Sequence, residues 1–397
     1  MKFGILKEIK EGENRVICTP RETALLVGNK HEVYIEKGAG EKAGFSDEEY
    51  IKSGAKIVAC AKEIYSTCEF IAKVKEIEPS EFDMLKENQI VFTCIHPAAH
   101  KEEVDALLNK KITAFTAEDT HRYDSPNCEA AGKVGAFMGL YGLMTCNGGC
   151  GKFASGLGGA PNIKAIVLGC GSVGKAAINV LYSMGAHILV GATNVQHLKD
   201  ISNFYNDKIS TFVSDRNTLS KMLPDTDLVV NCVRWPKDNK EFLITRKMVS
   251  SMPKGAVISD ISCDYGVIET FKPTTHANPY YVDEGVVHYC VCNMPSLIAG
   301  SASVSYAATV LPHFLNIMEN GIKKACEINP YLRRSLTTFG GYLTHEETSK
   351  IQNRPWVPPE VVLGLDTKKL EFAPKLTKSI SKNFYSEYKD KCEKYST

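Results

Sequence analysis

The chain has 397 residues, of which 44% are hydrophobic and 23% are charged. That is the composition of a globular protein, and the length suggests two domains. A formal net charge of +1 argues against a broad electrostatic surface for nucleic acid or for a membrane, and no uninterrupted apolar run reaches the length of a membrane span.

The first residues, Met1 to Glu8, predict a strand and not a signal peptide, which favours a cytoplasmic protein. The 14 cysteines are then expected as thiols, because the cytosol is reducing. Cys146 with Cys150, and Cys290 with Cys292, lack the second cysteine pair or histidine pair that a zinc site requires. We therefore predict no metal site.

The first part of the chain alternates predicted strands with helix signals. Ser46, followed by three acidic residues, is typical of a helix start. Together these signals predict a small α/β domain that ends near Asn127 and has no phosphate loop. The predicted strands cover 3–6, 31–35, 70–74, 90–95 and 112–115.

A glycine turn dominates the middle of the chain. Gly169, Gly171 and Gly174 have the G-x-G-x-x-G spacing, with Ser172 and Val173 between the last two. An apolar strand precedes the turn, and a helix over 173–184 and a strand over 187–190 follow it. The first glycine allows a tight turn, the second a close approach to a pyrophosphate and the third close helix–strand packing. We predict dinucleotide binding here, and a purely structural turn is the alternative.

The second strand of this unit lacks an acid at its end. Such an acid would bind the ribose 2′-hydroxyl of NAD and repel the 2′-phosphate of NADP. The strand ends instead in Ala192, Thr193 and Asn194, and no Asp or Glu occurs over 175–199. The pattern slightly favours NADP, and NAD held through Thr193 or Asn194 is the alternative. The residues available to a 2′-phosphate are His197 and Lys199.

Strands over 211–213, 228–231 and 256–260 complete the glycine-turn domain. Strands that alternate with helices predict a parallel, doubly wound sheet. Long helices over 128–145 and 296–320 suggest hinges on either side of it. We expect two Rossmann-like α/β domains and a substrate cleft between them. The predicted division is a discontinuous substrate and catalytic domain, 1–127 with 305–397, and an NAD(P)-binding domain, 128–304.

Four polar residues stand at strand ends or in loops. Arg15 could bind a carboxylate with two hydrogen bonds, although a lone arginine is more often a surface charge. Lys75 ends one predicted strand and could bind a carboxylate or a carbonyl oxygen. His96 ends another and is a candidate general acid/base, with a half-buried structural histidine as the alternative. Asp264 follows a strand of the nucleotide domain, where carboxylates face the ligand crevice.

Taken together, these motifs resemble the alanine dehydrogenase family, which shares its fold with the first subunit region of proton-pumping nicotinamide nucleotide transhydrogenase. The similarity runs from Met1 to about Leu363. The stretches that carry it are Gly4-Ile5-Leu6-Lys7-Glu8, Arg15-Val16, Thr19-Pro20, Lys73-Val74-Lys75-Glu76, Thr93-Cys94-Ile95-His96, Glu129-Ala130-Ala131-Gly132, Gly169 to Gly174, Asp260-Ile261 with Asp264, Pro273-Thr274-Thr275 and Asn293-Met294-Pro295.

The resemblance implies roles for the four polar residues. Arg15 and Lys75 would hold the carboxylate and the oxygen of the substrate, and His96 and Asp264 would do the acid/base work. Asn293 is placed with the cofactor-binding residues. The reaction implied is the oxidation of an amino acid by NAD(P)+ and water to a 2-oxo acid and ammonia, by a homo-oligomer that acts on small molecules.

Two departures from the family pattern leave alternatives open. Ser296-Leu297-Ile298 replaces the family's usual continuation after Pro295. Two stretches, Asp260-Ile261-Ser262-Cys263-Asp264 and Pro295-Ser296-Leu297, are similar to saccharopine dehydrogenases and carboxyethylornithine synthase. Those enzymes couple an amino acid to a keto acid. Ala192 in place of the acid also leaves open a nucleotide-binding protein without turnover.

Overall fold

The computed structural model describes residues 1–121, 125–235, 239, 241–262 and 266–374. Within this part of the chain, the protein divides into two compact units. The first unit comprises 1–126 with 298–374, and the second comprises 127–297.

The strands of both units are numbered in chain order. They are β1 (Lys2–Ile5), β2 (Glu32–Glu36), β3 (Lys56–Val58), β4 (Phe70–Ala72), β5 (Ile90–Thr93), β6 (Thr113–Thr116), β7 (Lys164–Leu168), β8 (His187–Ala192), β9 (Ser210–Val213), β10 (Leu228–Asn231), β11 (Val257–Asp260), β12 (Tyr280–Asp283), β13 (Val286–Tyr289), β14 (Leu336–Phe339) and β15 (Tyr342–Leu343).

The α-helices are α1 (Pro20–Gly28), α2 (Asp47–Lys52), α3 (Ala61–Thr67), α4 (Lys101–Asn109), α5 (Pro126–Gly142), α6 (Ser172–Ser183), α7 (Val195–Phe204), α8 (Arg216–Met222), α9 (Arg246–Ser250), α10 (Ala299–Ile328), α11 (Pro330–Ser335), α12 (Glu346–Gln352) and α13 (Pro359–Val362). Short 3₁₀ helices also occur at Glu41–Ala43, Pro79–Met84, Ala117–Asp119, Thr145–Asn147, Leu223–Asp225, Met294–Ile298 and Thr367–Lys369.

The first unit is built on an eight-stranded sheet with the order β15-β14-β6-β5-β4-β1-β2-β3. Six of these strands, β1 to β6, are parallel, and β14 and β15 join the β6 edge in antiparallel fashion. Strand order reverses between β1 and β4. In an open parallel sheet, this switch point leaves a crevice at the carboxyl ends of the strands.

Both faces of the first sheet are covered. Alternate residues of β1, β4 and β5 pack with α1 and α10 on one face, and the residues between them pack with α3 and α4 on the other. On the α10 face, Phe314 touches Phe3, Phe70 and Phe92 with ring centroids 4.9–5.5 Å apart. This aromatic cluster anchors α10 to the strands that carry the strand-end residues of interest.

One helical stretch among the described residues, Met294–Ile328, is long and apolar enough to cross a membrane by length and composition alone. Its mean hydropathy reaches 1.2, although the stretch contains no uninterrupted apolar run, because Ala, Ser and Gly alternate with larger residues. Half of the apolar window is buried within the structure. Tyr306, Val310 and Phe314 lie in the core of the first unit, so this helix packs as a core helix does.

The second unit is built on a seven-stranded sheet with the order β12-β13-β11-β10-β7-β8-β9, in which only the edge strand β12 is antiparallel. The helices α5, α6 and α7 cover one face, and α8 and α9 cover the other. The strand order reverses between β7 and β10. Both units are therefore doubly wound α/β structures, and the predicted fold class is confirmed.

Helix α5 approaches the second sheet with a face made of glycines. Gly132, Gly135, Gly139 and Gly142 recur at intervals of three and four residues, which places them on one side of the helix. A Cβ atom on Gly132 would lie 2.2 Å from the carbonyl oxygen of Val173, and one on Gly135 would lie 2.3 Å from Ile261. The Ser259 hydroxyl donates a 2.8 Å hydrogen bond to the carbonyl of Gly135. This close packing requires the absence of side chains.

We expect Gly132→Ala to destabilise the protein by about 1–3 kcal/mol, the usual cost of overpacking a core. The new methyl group would meet a backbone oxygen, which cannot move aside as a flexible side chain can. Alanine alone favours a helix by about 1 kcal/mol over glycine, so a net loss would come from the contact. Urea denaturation measures the change. Gly158→Ala is the control, because no described atom lies within 4 Å of a Cβ there, and equal stability of the two variants would contradict this account.

Candidate active site

The polar residues predicted in the first unit lie at its switch point. Arg15 is in the loop that follows β1, Lys75 follows β4, and His96 follows β5. Because β1, β4 and β5 are parallel neighbours, their carboxyl ends lie at one edge of the sheet. The three side chains therefore belong to one edge, as the strand-end reasoning expects.

The side chain of Arg15 is held by a carboxylate of the protein itself. Its Nε and Nη2 atoms donate to the two carboxylate oxygens of Glu13 over 2.8 and 2.7 Å. Both residues are buried, with 3% and 1% of their surfaces exposed. Burial acts to lower the pKa of Arg15, but Glu13 outweighs it and the pKa is raised. The two-point contact fixes the plane of the guanidinium group.

Two lysines follow β4, and the structure separates their roles. Lys73 is buried, and its ammonium group pairs with Glu81 over 2.7 Å. Lys75 is half-exposed, and its side chain makes no hydrogen bond or ion pair with any other described residue. Its backbone is held on both sides, because its N–H donates to Glu8 and its carbonyl accepts from the Thr93 hydroxyl. Lys75 is thus the lysine that can meet a ligand.

His96 leaves the sheet in an unusual backbone conformation. Its φ angle is +48°, in the left-handed region that non-glycine residues seldom adopt. The His96 N–H donates a 2.7 Å hydrogen bond to Glu118, and Nδ1 of its ring lies 3.2 Å from the same carboxylate oxygen. The loop after it is held by Gln352, which donates to the carbonyl of Pro97. Strain of this kind clusters at functional sites.

Cys94 shows that these groups influence one another. It lies between β5 and His96, and its thiol contacts the Tyr306 hydroxyl at 3.2 Å. Burial and the Glu118 carboxylate raise the pKa of the Cys94 thiol to about 12, and Tyr306, Lys75 and Arg15 oppose this rise. Charges from the loops after β1, β4 and β6 therefore converge on one position beside His96.

The glycine turn of the second unit has the geometry that a dinucleotide requires. Gly169 has a φ angle of +90°, which suits the tight turn after β7. A Cβ atom on Gly174 would lie 2.0 Å from the Gly169 carbonyl, whereas one on Gly171 would meet no described atom within 4 Å. Helix α6 starts at Ser172 without a side-chain cap, and Val173 follows in its first turn. The turn therefore fits a pyrophosphate against the helix N-terminus.

The residues at the end of β8 are the ones from which the sequence predicts contacts to the ribose. Ala192 and Thr193 are half-buried, and Asn194 is exposed. The side-chain oxygen of Asn194 accepts from the N–H groups of Gln196 and His197 and so caps α7. That oxygen is occupied, and only the side-chain NH₂ of Asn194 remains for a ribose. Asn293, after β13, is half-buried and has a φ angle of +66°.

Asp264 lies outside the described residues, so its position in the site stays a prediction. The strands that lead toward it end in a buried pair, in which the Asn231 amide donates a 2.9 Å hydrogen bond to Asp260. Glu8, Glu13 and Glu118 were not predicted as site residues from the sequence. Glu8 and Glu118 come shortly after the ends of β1 and β6, so the strand-end argument that selected His96 could have found them.

One cavity of about 800 Å³ in the first unit is not this site. It is lined by parts of α10 and α11, by Phe372 and by two histidines, and it contains neither Arg15, Lys75 nor His96. Burial lowers the pKa of His121 and of His313 to about 4, so both are neutral at physiological pH. Over the described ranges, no three His, Cys, Asp or Glu residues group as metal ligands would.

Most of the chain matches the two domain models of one protein family. Residues 4–131 match the model for the N-terminal domain of alanine dehydrogenase/PNT, and 135–346 match the model for its C-terminal domain. The chain belongs to the alanine dehydrogenase/PNT family. Alanine dehydrogenase from Methanococcus maripaludis is 38% identical over 92% of this chain and 100% of its own length. The enzyme from Bacillus subtilis is 33% identical over 91% of this chain and 98% of its own.

Solved structures agree with this family membership. An L-alanine dehydrogenase is 30% identical, matches with a TM-score of 0.84, and covers 89% of this chain and 99% of that one. A transhydrogenase from Sinorhizobium meliloti shares the fold with a TM-score of 0.73, at 22% identity and over 87% of this chain and 99% of that one. The resemblance deduced from the motifs is confirmed.

We expect Glu118→Gln to lower kcat for reductive amination by roughly 10-fold. Glutamine can still accept the His96 N–H, but it lacks the negative charge of the carboxylate, and hydrogen bonds to charged groups contribute about 1.5–3 kcal/mol. Steady-state kinetics measure kcat, and fluorescence titration measures NAD(P)H affinity, which should not change. Glu118→Asp should recover part of the rate, and Glu87→Gln, at an exposed carboxylate, is the control. Unchanged kcat in Glu118→Gln would rule out a contribution of the Glu118 charge to turnover.

Proposed function

We propose that the protein is an NAD(P)-dependent alanine dehydrogenase, which interconverts alanine and water with pyruvate and ammonia. The observation that carries the proposal is the grouping of a fixed arginine, a lysine without a described partner and a strained histidine at one switch point. Arg15, Lys75 and His96 supply what a small keto acid needs: a carboxylate anchor, an oxygen ligand and a proton donor. A chain of this family gains little from such a set unless it turns over substrate.

Arg15 and Lys75 are proposed to bind the substrate. Because Glu13 fixes the guanidinium plane of Arg15, little conformational entropy is lost when a carboxylate binds. Lys75 adds a mobile ammonium group that can reach the carboxylate or the keto oxygen. Positioning of this kind accounts for a large share of enzymatic acceleration.

His96 is proposed as the acid/base. Its Nδ1 faces Glu118, which leaves Nε2 for the substrate. Nε2 would donate a proton to the keto oxygen when pyruvate is reduced and accept one in the reverse direction. Asp264 is proposed to assist the addition and departure of ammonia or water. The bound nicotinamide would supply or accept the hydride at the substrate α-carbon.

The cofactor is a nicotinamide dinucleotide, held by Gly169, Gly171, Ser172, Val173 and Gly174. Thr193, Asn194 and Asn293 are proposed as further contacts. We propose that NADP is accepted at least as well as NAD, because β8 ends in Ala192 where an acid would repel the 2′-phosphate. The N-terminus of α7 and the exposed His197 and Lys199 would favour an added negative charge.

The organisation of the whole protein is proposed on the same basis. The substrate and catalytic domain would comprise 1–127 with 305–397, and the NAD(P)-binding domain would comprise 128–304. A cytoplasmic homo-oligomer that acts on small molecules, without nucleic acid or membrane partners, is the form we expect. Light scattering after size-exclusion chromatography gives the number of subunits.

A panel of keto acids tests the function directly. Pyruvate, 2-oxobutyrate and 2-oxoglutarate are each combined with ammonium or with an amino acid, and NADH and NADPH oxidation are followed separately. We expect pyruvate with ammonium to be the preferred pair. Turnover only with an amino acid as amine donor would indicate the opine-type reaction that Ser296-Leu297-Ile298 leaves open. Absence of turnover with every pair would sink the proposal.

We expect His96→Ala to lower kcat on the preferred keto acid by roughly 10²–10⁴-fold, the usual contribution of a general acid/base. NAD(P)H affinity should stay the same, because the glycine turn is in the second unit. Near-normal turnover, or loss of cofactor binding together with activity, would move the role to Lys75 or Asp264.

We expect Ala192→Asp to shift the kcat/KM preference toward NADH by roughly 10-fold or more. A carboxylate about 4 Å from the 2′-phosphate would repel it by about 1–4 kcal/mol, depending on the local dielectric. The measurement is kcat/KM for NADH and NADPH with each variant. Ala192→Asn has nearly the same shape without the charge and should leave the preference unchanged. A wild-type protein already strongly selective for NADH would contradict the premise.

A further inference from the structure

The backbone at Lys75 is held by a buried carboxyl group that is not among the proposed catalytic residues. Glu8 follows β1 and is 8% exposed. One of its oxygens accepts from the backbone N–H groups of Val74 and Lys75. The Thr93 hydroxyl holds the carbonyl of Lys75 from the next strand. The Lys75 backbone is therefore held by hydrogen bonds at both its N–H and its carbonyl group, at the point where the chain leaves the sheet.

Lys73, the cation that acts on Glu8, already has another partner, because its ammonium group pairs with Glu81 over 2.7 Å. Glu13, the other charged group that acts on Glu8, is paired with Arg15. The second oxygen of Glu8 is buried and makes no hydrogen bond with another described residue. Glu8 is thus a surplus buried carboxyl, and an unpaired buried charge is costly.

Burial raises the pKa of the Glu8 carboxyl to about 7. The Lys73 ammonium and the hydrogen bonds from the Val74 and Lys75 N–H groups oppose this rise in the pKa. The Glu13 carboxylate adds to it. An ordinary glutamate is ionised at neutral pH, whereas Glu8 gains its charge only as the pH rises through this range. The charge then appears next to the backbone of a residue that is proposed to bind an anion.

We propose that Glu8 is a positioning residue for Lys75: its carboxyl group fixes the peptide from which Lys75 leaves the sheet, and the loss of its proton weakens the binding of the substrate carboxylate. The inference rests on the proposed function of Lys75. With the proton in place, the carboxyl group accepts the two N–H bonds and is neutral. Without it, the same bonds persist, but a negative charge competes with the substrate for the field of Lys75 and Arg15.

The first test compares Glu8→Gln with the wild type in pyruvate binding. Glutamine keeps an oxygen for the two N–H groups and imitates the protonated acid, but it cannot ionise. Calorimetry measures the Kd of pyruvate for the enzyme–NADH complex, without ammonium, from pH 6 to 8.5. We expect the wild-type Kd to rise relative to that of Glu8→Gln by roughly 10-fold across this range, so that the variant binds more tightly at high pH. A ratio that does not change with pH would overturn the inference.

Glu103 provides a matched control. It is also buried, its pKa is raised well above the ordinary value by burial, and one of its oxygens accepts from the N–H of Ile77, two residues after Lys75. Glu103→Gln therefore removes a similar carboxyl group without touching the Lys75 peptide. It should follow the wild type in pyruvate binding, as should Glu11→Gln at an exposed site. If Glu103→Gln reproduces the effect of Glu8→Gln, the contact with Lys75 is not the cause.

Two readouts do not depend on substrate. Infrared spectra of the wild type near pH 6.5 should contain the C=O stretch of protonated carboxyl groups, and Glu8→Gln should remove part of it. Between about pH 4.5 and 7 the folded protein holds a proton on Glu8 that the unfolded chain releases, so this group lowers stability as the pH rises. The Tm of Glu8→Gln relative to the wild type should therefore increase from pH 5 to 8.

The outcomes separate this inference from the proposed function. A wild-type complex that binds no pyruvate at any pH overturns the proposed function and the role of Glu8 with it. Bound pyruvate whose Kd ignores Glu8 overturns only the role of Glu8. If Glu8→Gln does not fold, Glu8→Asp, which still titrates, should keep the pH-dependent Kd of the wild type. Absence of the protonated-carboxyl band in the wild type would also refute the proposal.

Discussion

Arg15 and Lys73, at the edge of the first sheet, are buried, and the charge of each must therefore be balanced where it lies. Removing an ion from water costs several kcal/mol unless another charge or several hydrogen bonds replace the solvent. Glu13 meets this requirement for Arg15, and Glu81 meets it for Lys73. The pairing decides which groups remain for a ligand. Lys75 is half-exposed and keeps its ammonium group for a partner from outside.

The second unit depends on close approach instead of charge. Gly174 lets α6 rest on the turn after β7, and Gly132 lets α5 rest on the first turn of α6. Backbone touches backbone at both places, so the helix N-terminus is held firmly where a pyrophosphate would bind. The two Rossmann-like units thus use opposite means, paired charges in one and missing side chains in the other, to fix their strand-end loops.

Much of this could be predicted from the sequence, since local patterns determined it. The G-x-G-x-x-G turn, the capping box at Ser46 and the central strands β1, β4, β5, β7 and β10 follow from periodicity and glycine spacing. The strand-end rule also selected Arg15, Lys75 and His96. The hairpin strands β12 to β15 were missed, because they are short and their hairpin pairing is visible only in the fold.

The partners of the selected residues were harder to predict. Glu118 and His96 are 22 positions apart, and Glu8 and Lys75 are 67 apart, so no local pattern links either pair. Each pair forms because parallel strands bring their carboxyl ends together. The left-handed backbone of His96 was equally invisible, since histidine carries no signal comparable to that of glycine.

The glycine face of α5 also bears on the order in which the protein folds. Each glycine costs a helix about 1 kcal/mol relative to alanine, and α5 has glycines at 132, 135, 139 and 142. A helix with this composition cannot persist alone in water. Its order comes from the surface on which it rests, so the strands of the second sheet must assemble first. We therefore expect α5 to be among the last elements to form and the first to lose its protection against hydrogen exchange.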